Sequence, residues 1–135
     1  MAKTLYIIRG CSGSGKSSFA KTLSAALNCQ TIEADDFMYE NGIYEWRADK
    51  LASAHYATYR FIKSRMQEGA ENVIVSDTNV KLKDLNVYLE LAEEFHYRVV
   101  SLVVENRHGN TSVHDVSEKT MARQEAALRN SLKLR

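Results

Sequence analysis

The sequence predicts an α/β protein built on a parallel sheet with helices on both faces. Two observations carry that expectation. Runs rich in Ile and Val, among them "TLYIIRG" (4–10), "NVIVSD" (72–77) and "RVVSLVVE" (98–105), are apolar without strict alternation, as in strands buried on both sides. Between them lie longer segments whose apolar residues recur at helical spacing. Right-handed crossovers between parallel strands leave few topologies. In such sheets ligands bind beyond the carboxyl ends of the strands, which here carry Gly10, Asp35, Asp77 and Glu105.

Residues 4–10 read as the first buried strand. From Lys16 the period changes, with Phe19, Leu23, Ala26 and Leu27 at helical spacing. "QTIEAD" (30–35) is a short strand that ends in carboxylates. Residues 37–47 read as an aromatic-rich loop or a short helical piece around Asn41-Gly42, with Asp36 as the N-cap of a turn through Phe37-Met38-Tyr39. A long helix starts at Asp49, taken as its N-cap, carries Leu51, Ala54, Thr58, Phe61, Ile62 and Arg65 on one stripe, and stops at Gly69. The strand 72–77 follows. Leu82, Leu85, Tyr88, Leu89, Ala92 and Phe95 mark the next helix, and 98–105 is the fourth strand. After the polar loop "NRHGNTSVHD", a last helix runs from about Ser117.

Composition narrows the class. Residues 1–135 read as one domain, with 44% apolar residues for a core and 26% charged residues for a soluble surface. The net charge of +1 gives no global pull toward nucleic acid or membrane, so polyanion binding would need a local basic patch. Cys11 and Cys29 form no CxxC pair and suggest no disulfide framework, which fits a reducing cytoplasm. "MAKTLYIIRG" is too short an apolar run for a signal peptide. No stretch approaches the roughly 18 apolar residues of a membrane span. A cytoplasmic protein without a membrane partner is expected.

The ten residues "RGCSGSGKSS" (9–18) hold three glycines, four serines and one lysine, and almost nothing to pack a core. Gly10 to Ser17 fits G-x-x-x-x-G-K-[ST], the phosphate-binding P-loop. The composition follows from the chemistry. Phosphate oxygens must reach backbone N–H groups, and side chains would block them. The following helix points its positive end at the same spot. Residues Gly10, Cys11, Ser12, Gly13, Ser14, Gly15, Lys16, Ser17 and Ser18 are therefore expected to bind nucleotide. Lys16 supplies charge to the β- and γ-phosphates, and Ser17 is placed to ligate Mg²⁺. Cys11 and Ser12 read as loop filler rather than catalysts. The strand before the loop and the helix after it separate this reading from a bare Gly/Ser turn.

The strand ending in Asp77 resembles a Walker-B strand, whose carboxylate holds Mg²⁺ directly or through water. A cap on the turn "DTN" is the competing reading, and the nearby P-loop favours the metal role. "EADD" gathers Glu33, Asp35 and Asp36 at the end of the second strand. A kinase needs a carboxylate to accept the proton of the attacking hydroxyl. Asp35 is the candidate base, against the alternative of two solvated turn acids. In the polar loop, Arg107 is the candidate lid cation, with Lys119 and Arg123 behind it. His108 and His114 lack partners at zinc spacing. Tyr44 or Trp46 could stack a base and Arg47 hold a phosphate, although aromatics in a connector usually pack on the core. His55 reads as a structural histidine.

"GCSGSGKSSFA", "EADDF", "GIYEWRADKLASAH", "VIVSDTN" and "YLELAEEFHYRV" occur in that order. Together they resemble the P-loop kinase domain of the phage polynucleotide kinase family over nearly the whole chain. The resemblance implies a three-layer P-loop kinase fold with a four-stranded parallel sheet in the order 2-3-1-4, flanked by helices. It implies ATP-dependent phosphorylation of a nucleic-acid 5′-hydroxyl, with ATP and Mg²⁺ handled by Lys16 and Ser17. It also implies Asp35 as general base and Asp77 near the metal and substrate. Met38 departs from the family, whose phage member carries a substrate-holding arginine three residues after the base. The segment before "RHG" is short for a lid helix, and no second domain is expected after the kinase domain. The expected activity is transfer of the ATP γ-phosphoryl to a hydroxyl on nucleic acid or a nucleotide. A kinase of a small molecule or nucleoside, or a non-catalytic nucleotide-binding adaptor, are the alternatives.

Overall fold

The computed structural model describes residues 2–11, 14–33, 39–40, 42–44, 48–76, 82–105 and 117–132. The chain runs β1 (Thr4–Arg9), α1 (Lys16–Leu27), β2 (Thr31–Ile32), β3 (Tyr39–Glu40), β4 (Ile43–Tyr44), α2 (Ala48–Gln67), β5 (Asn72–Ser76), α3 (Leu82–Phe95), β6 (Arg98–Val103) and α4 (Glu118–Asn130). The main sheet has the order β2-β5-β1-β6, and every pairing in it is parallel. Counting its strands in chain order, this is the expected 2-3-1-4.

Both faces of the sheet are covered, which explains why its strands carry apolar residues without alternation. Leu5 and Ile7 of β1 and Val73 and Val75 of β5 pack on α2 and α3 through Ile62, Met66, Leu85 and Tyr88. The opposite side of the same strands, Ile8 and Ile74, packs on Ala20, Leu23 and Leu27 of α1. The buried stripe of α1 thus passes through Ala20, and Phe19 is 39% exposed rather than in the core. On α2 the stripe is Ala54, Thr58, Ile62 and Met66. Thr58 resolves its buried hydroxyl by donating to the Ala54 carbonyl at 2.9 Å.

Three local expectations need correction. Tyr39 stands in a strand, not in a helical turn, and pairs antiparallel with Tyr44 as Glu40 does with Ile43. Gly42, just before β4, has φ 81, which a tight hairpin favours. Asp49 lies inside the first turn of α2, which starts at Ala48, and so favours the helix dipole rather than capping it. Strand β2 ends at Ile32, so Glu33 is the first carboxylate past the sheet edge. Ser117 does cap α4: its side chain accepts a hydrogen bond from the Thr120 amide. Among the described residues no helix is long and apolar enough to cross a membrane.

Arg9 is the one charged residue of the β1 run "TLYIIR", and it is 0% exposed. Its Nη2 donates to the Ser131 carbonyl at 2.7 Å and to Ser131 Oγ at 2.8 Å. Its Nη1 donates to the Leu132 carbonyl at 3.3 Å and to Ser101 Oγ at 3.5 Å. Burial pulls its pKa below the ordinary guanidinium value. A cation at the C-terminal end of α4 complements the helix dipole and donates to carbonyls at that end. Arg9 therefore ties α4 to the strand that opens the glycine loop. Arg9→Met should lower the unfolding free energy by about 1–3 kcal/mol, because the carbonyls of Ser131 and Leu132 lose their donor. Arg9→Lys should recover only part of it, since a lysine lacks the guanidinium fork. Urea denaturation of the three proteins measures both effects, and an unchanged midpoint in Arg9→Met would show that the end of α4 does not depend on Arg9.

Candidate functional site

The carboxyl edge of the sheet gathers the polar groups. β1 ends at Arg9, and the backbone turns at once through Gly10. A Cβ added to Gly10 would lie 2.5 Å from Ser14 Oγ and 2.8 Å from the Val104 carbonyl oxygen. Only glycine lets the chain pass there. The Ser14 amide donates to the Cys11 carbonyl at 3.0 Å, which tightens the loop. Gly15 then takes the left-handed conformation (φ 96, ψ 11) as the N-cap of α1. It offers no side-chain cap, and the first turn of α1 has no acidic residue. Among the described residues no side chain caps the amides of this positive helix end, which suits an anion.

Lys16 and Ser17 open α1 and are half-buried, while Gly15 and Ser18 are exposed. The Cys11 side chain turns away and packs on Leu128 of α4 with Val103 beside it. Burial pushes its thiol pKa up, Glu125 adds to the rise, and Lys16 works against it. Cys11 serves the loop by packing, in line with its reading as filler.

Among the described residues, an acid that bonds the start of α1 is one for which the sequence suggested no role. Ile32 pairs with Val75, so Glu33 comes level with Ser76. Ser76 Oγ donates to Glu33 Oε1 at 3.0 Å, and Ser17 Oγ donates to Glu33 Oε2 at 3.0 Å. Ser76 is 0% exposed. One carboxylate therefore joins β2, β5 and the start of α1. Expecting the second strand to run to Asp35 directed attention past Glu33. The usable signal was the short apolar stretch, since only Thr31 and Ile32 precede the first carboxylate.

Asp35, Asp36, Asp77, Arg107, Ser12 and Gly13 lie outside the described residues, as do Trp46, Arg47, His108 and His114. The described residues that flank them bring the second and third strand ends to the same edge as Lys16 and Ser17. Lys119 and Arg123 are exposed on α4, and Arg123 donates to Thr120 Oγ1 at 3.2 Å. His55, read as structural, is exposed on α2 and lines a groove with Tyr59, Lys83 and Tyr88. Among the described residues no three His, Cys, Asp or Glu side chains gather into a metal cage. The oxygen donors at hand, one serine hydroxyl and one carboxylate, suit a hard divalent cation that completes its shell with water and phosphate.

Comparison with known proteins agrees with the fold. The profile of a family described as AAA domain matches residues 5–130. Human NEDD4-binding protein 2 is 30% identical over 97 residues, which cover 71% of this chain and 6% of that protein. A chain of the Pnkp1/Rnl/Hen1 RNA repair complex is similar in structure, with a TM-score of 0.75 and 19% identity over 97% of this chain and 45% of that one. A sugar kinase from Janibacter sp. HTCC2649 has a TM-score of 0.61 and 18% identity over 93% of this chain and 78% of its own. The chain thus spans a small part of the human relative and under half of the RNA-repair chain. At these identities the two solved structures bear on the fold.

Gly10→Ala should destabilise the protein by about 1–3 kcal/mol, because one of the two clashing atoms belongs to the backbone and cannot rotate away. Its affinity for a fluorescent ATP analogue should fall as well. Unchanged denaturation and unchanged binding would mean that the loop is not held in this close approach.

Proposed function

The chain belongs to the AAA domain family, and from that premise we propose that it is an ATP-dependent kinase. It moves the γ-phosphoryl group of ATP to a hydroxyl on nucleic acid, with a polynucleotide 5′-hydroxyl as the acceptor. The observation that carries the reading is the loop itself. A strand ends at a glycine that admits no Cβ, and a helix opens without a side-chain cap beside Lys16 and Ser17. That arrangement has the properties of a triphosphate cradle.

The residues divide the work. Amides of the 10–18 loop bind the phosphate oxygens, and Lys16 places its charge on the β- and γ-phosphates. Ser17 and Asp77 would hold Mg²⁺, which when bound neutralises charge on the phosphates. Asp35 takes the proton from the acceptor hydroxyl as the new O–P bond forms and the bond from phosphorus to the ADP oxygen breaks. Arg107 offsets charge on the transferring group. The order of the motifs "GCSGSGKS", "EADD" and "VIVSDTN" supports nucleic acid as the acceptor. So does a fold shared with a chain of an RNA repair complex.

A small-molecule hydroxyl is the second reading. Met38, in place of a substrate-holding arginine, and the net charge of +1 favour it. The test is transfer of label from ATP to 5′-hydroxyl DNA and RNA oligonucleotides. The proposal expects labelled 5′ ends, with Lys16→Ala slower by about 10²-fold or more. ADP release on sugars or nucleosides, with no label on any nucleic acid, would replace it with the second reading.

A further inference from the structure

Glu33 has a place in the site that neither the motifs nor the family assignment gives it. Its two carboxylate oxygens accept one hydroxyl each, from Ser17 and from Ser76, both at 3.0 Å. Ser76 is the last residue of β5 and is 0% exposed, so its hydroxyl is a fixed anchor rather than a solvated one. Ser17 is the second residue of α1, directly after Lys16. A serine hydroxyl carries one hydrogen and two lone pairs. When the hydrogen is committed to Glu33, both lone pairs of Ser17 Oγ remain for a cation. The carboxylate also sets the side-chain rotamer from which they are offered.

Resting on the nucleotide-kinase reading, we propose that Glu33 is the positioning residue for the divalent cation that accompanies ATP. It orients the Ser17 oxygen and adds a negative charge behind it, and Ser76 holds Glu33 in place. Partners that orient a ligand from behind typically change metal affinity about 10–100-fold when removed. This chain therefore supports Ser17 from the end of β2, through an acid that precedes the candidate base by two residues. The same triad joins three elements: a cation drawn to Ser17 acts on β2 and, through Ser76, on the end of β5. A merely structural Glu33 would stabilise the same joint without any preference for the metal-bound state.

The two roles separate by measuring ATP affinity with Mg²⁺ and with EDTA, together with Mn²⁺ affinity of the ATP complex by electron paramagnetic resonance. The proteins are wild type, Glu33→Gln, Glu33→Ala and Ser76→Ala, each checked by thermal unfolding. Glu33→Gln keeps the shape of the side chain and carries the decision if Glu33→Ala does not fold. We expect Mn²⁺ affinity to fall about 10–100-fold in both Glu33 variants, less in Ser76→Ala, and metal-free ATP affinity to stay at the wild-type value. Wild-type metal affinity in a folded Glu33→Gln would overturn the inference. So would an equal loss of ATP affinity with and without metal, which is the mark of a structural tie. Wild-type protein that takes up no ATP would overturn the kinase reading as well, whereas the first two results leave that reading intact.

Discussion

The parallel pairing of β1 with β5, and of β5 with β2, decides where each polar group of the site stands. Val75 lies between Ile7 and Ile32, and Ser76 lies beside Ile8. One residue further on, Ser76 and Glu33 stand level with Ile8, and Gly10 follows two residues beyond Ile8 at the same edge of the sheet. A slip of one residue in any pairing would turn each of these groups to the opposite face. The apolar residues below them resist such a slip, because Leu5, Ile7, Ile8, Ile74 and Val75 are all 0% exposed. Hydrophobic burial thus fixes the register, and the polar groups stand at or just past the strand ends.

The edge is completed from two further directions. Helix α1 brings Lys16 and Ser17 across the end of β2 through the Glu33 carboxylate. Helix α4 is drawn against the opposite side of the loop by Cys11, Leu128 and the buried Arg9. Arg9 and Gly10 are neighbours in the chain but do opposite things. The arginine fills space and satisfies the end of a helix, while the glycine leaves space for Ser14 and the Val104 carbonyl.

Much of this architecture was legible in the residues. The unbroken apolar runs located three of the four main strands to within two residues, since strands buried on both faces have no other composition available. The G-x-x-x-x-G-K-S spacing located the loop, because only glycine tolerates the contacts made at Gly10 and the φ of Gly15. Less legible were features set by tertiary partners. The hairpin at Tyr39–Tyr44 hid behind aromatics that suit a loop or a helix equally well. Phe19 had the right helical spacing and the wrong face. Glu33 looked like one acid among several until the register placed it level with Ser76. Arg9, a charge in a central strand, had no reading in the sequence, because its partners lie in the distant end of α4.

The proposed kinase activity requires the loop amides to seat the triphosphate. Titration of ¹⁵N-labelled protein with ATP, followed by amide chemical shifts, tests that claim directly. The largest changes should fall on residues 10–18, with Glu33 and Ser76 next. If those amides stay unmoved while the groove between α2 and α3 responds, or if no amide shifts at all, the glycine loop is not a phosphate cradle.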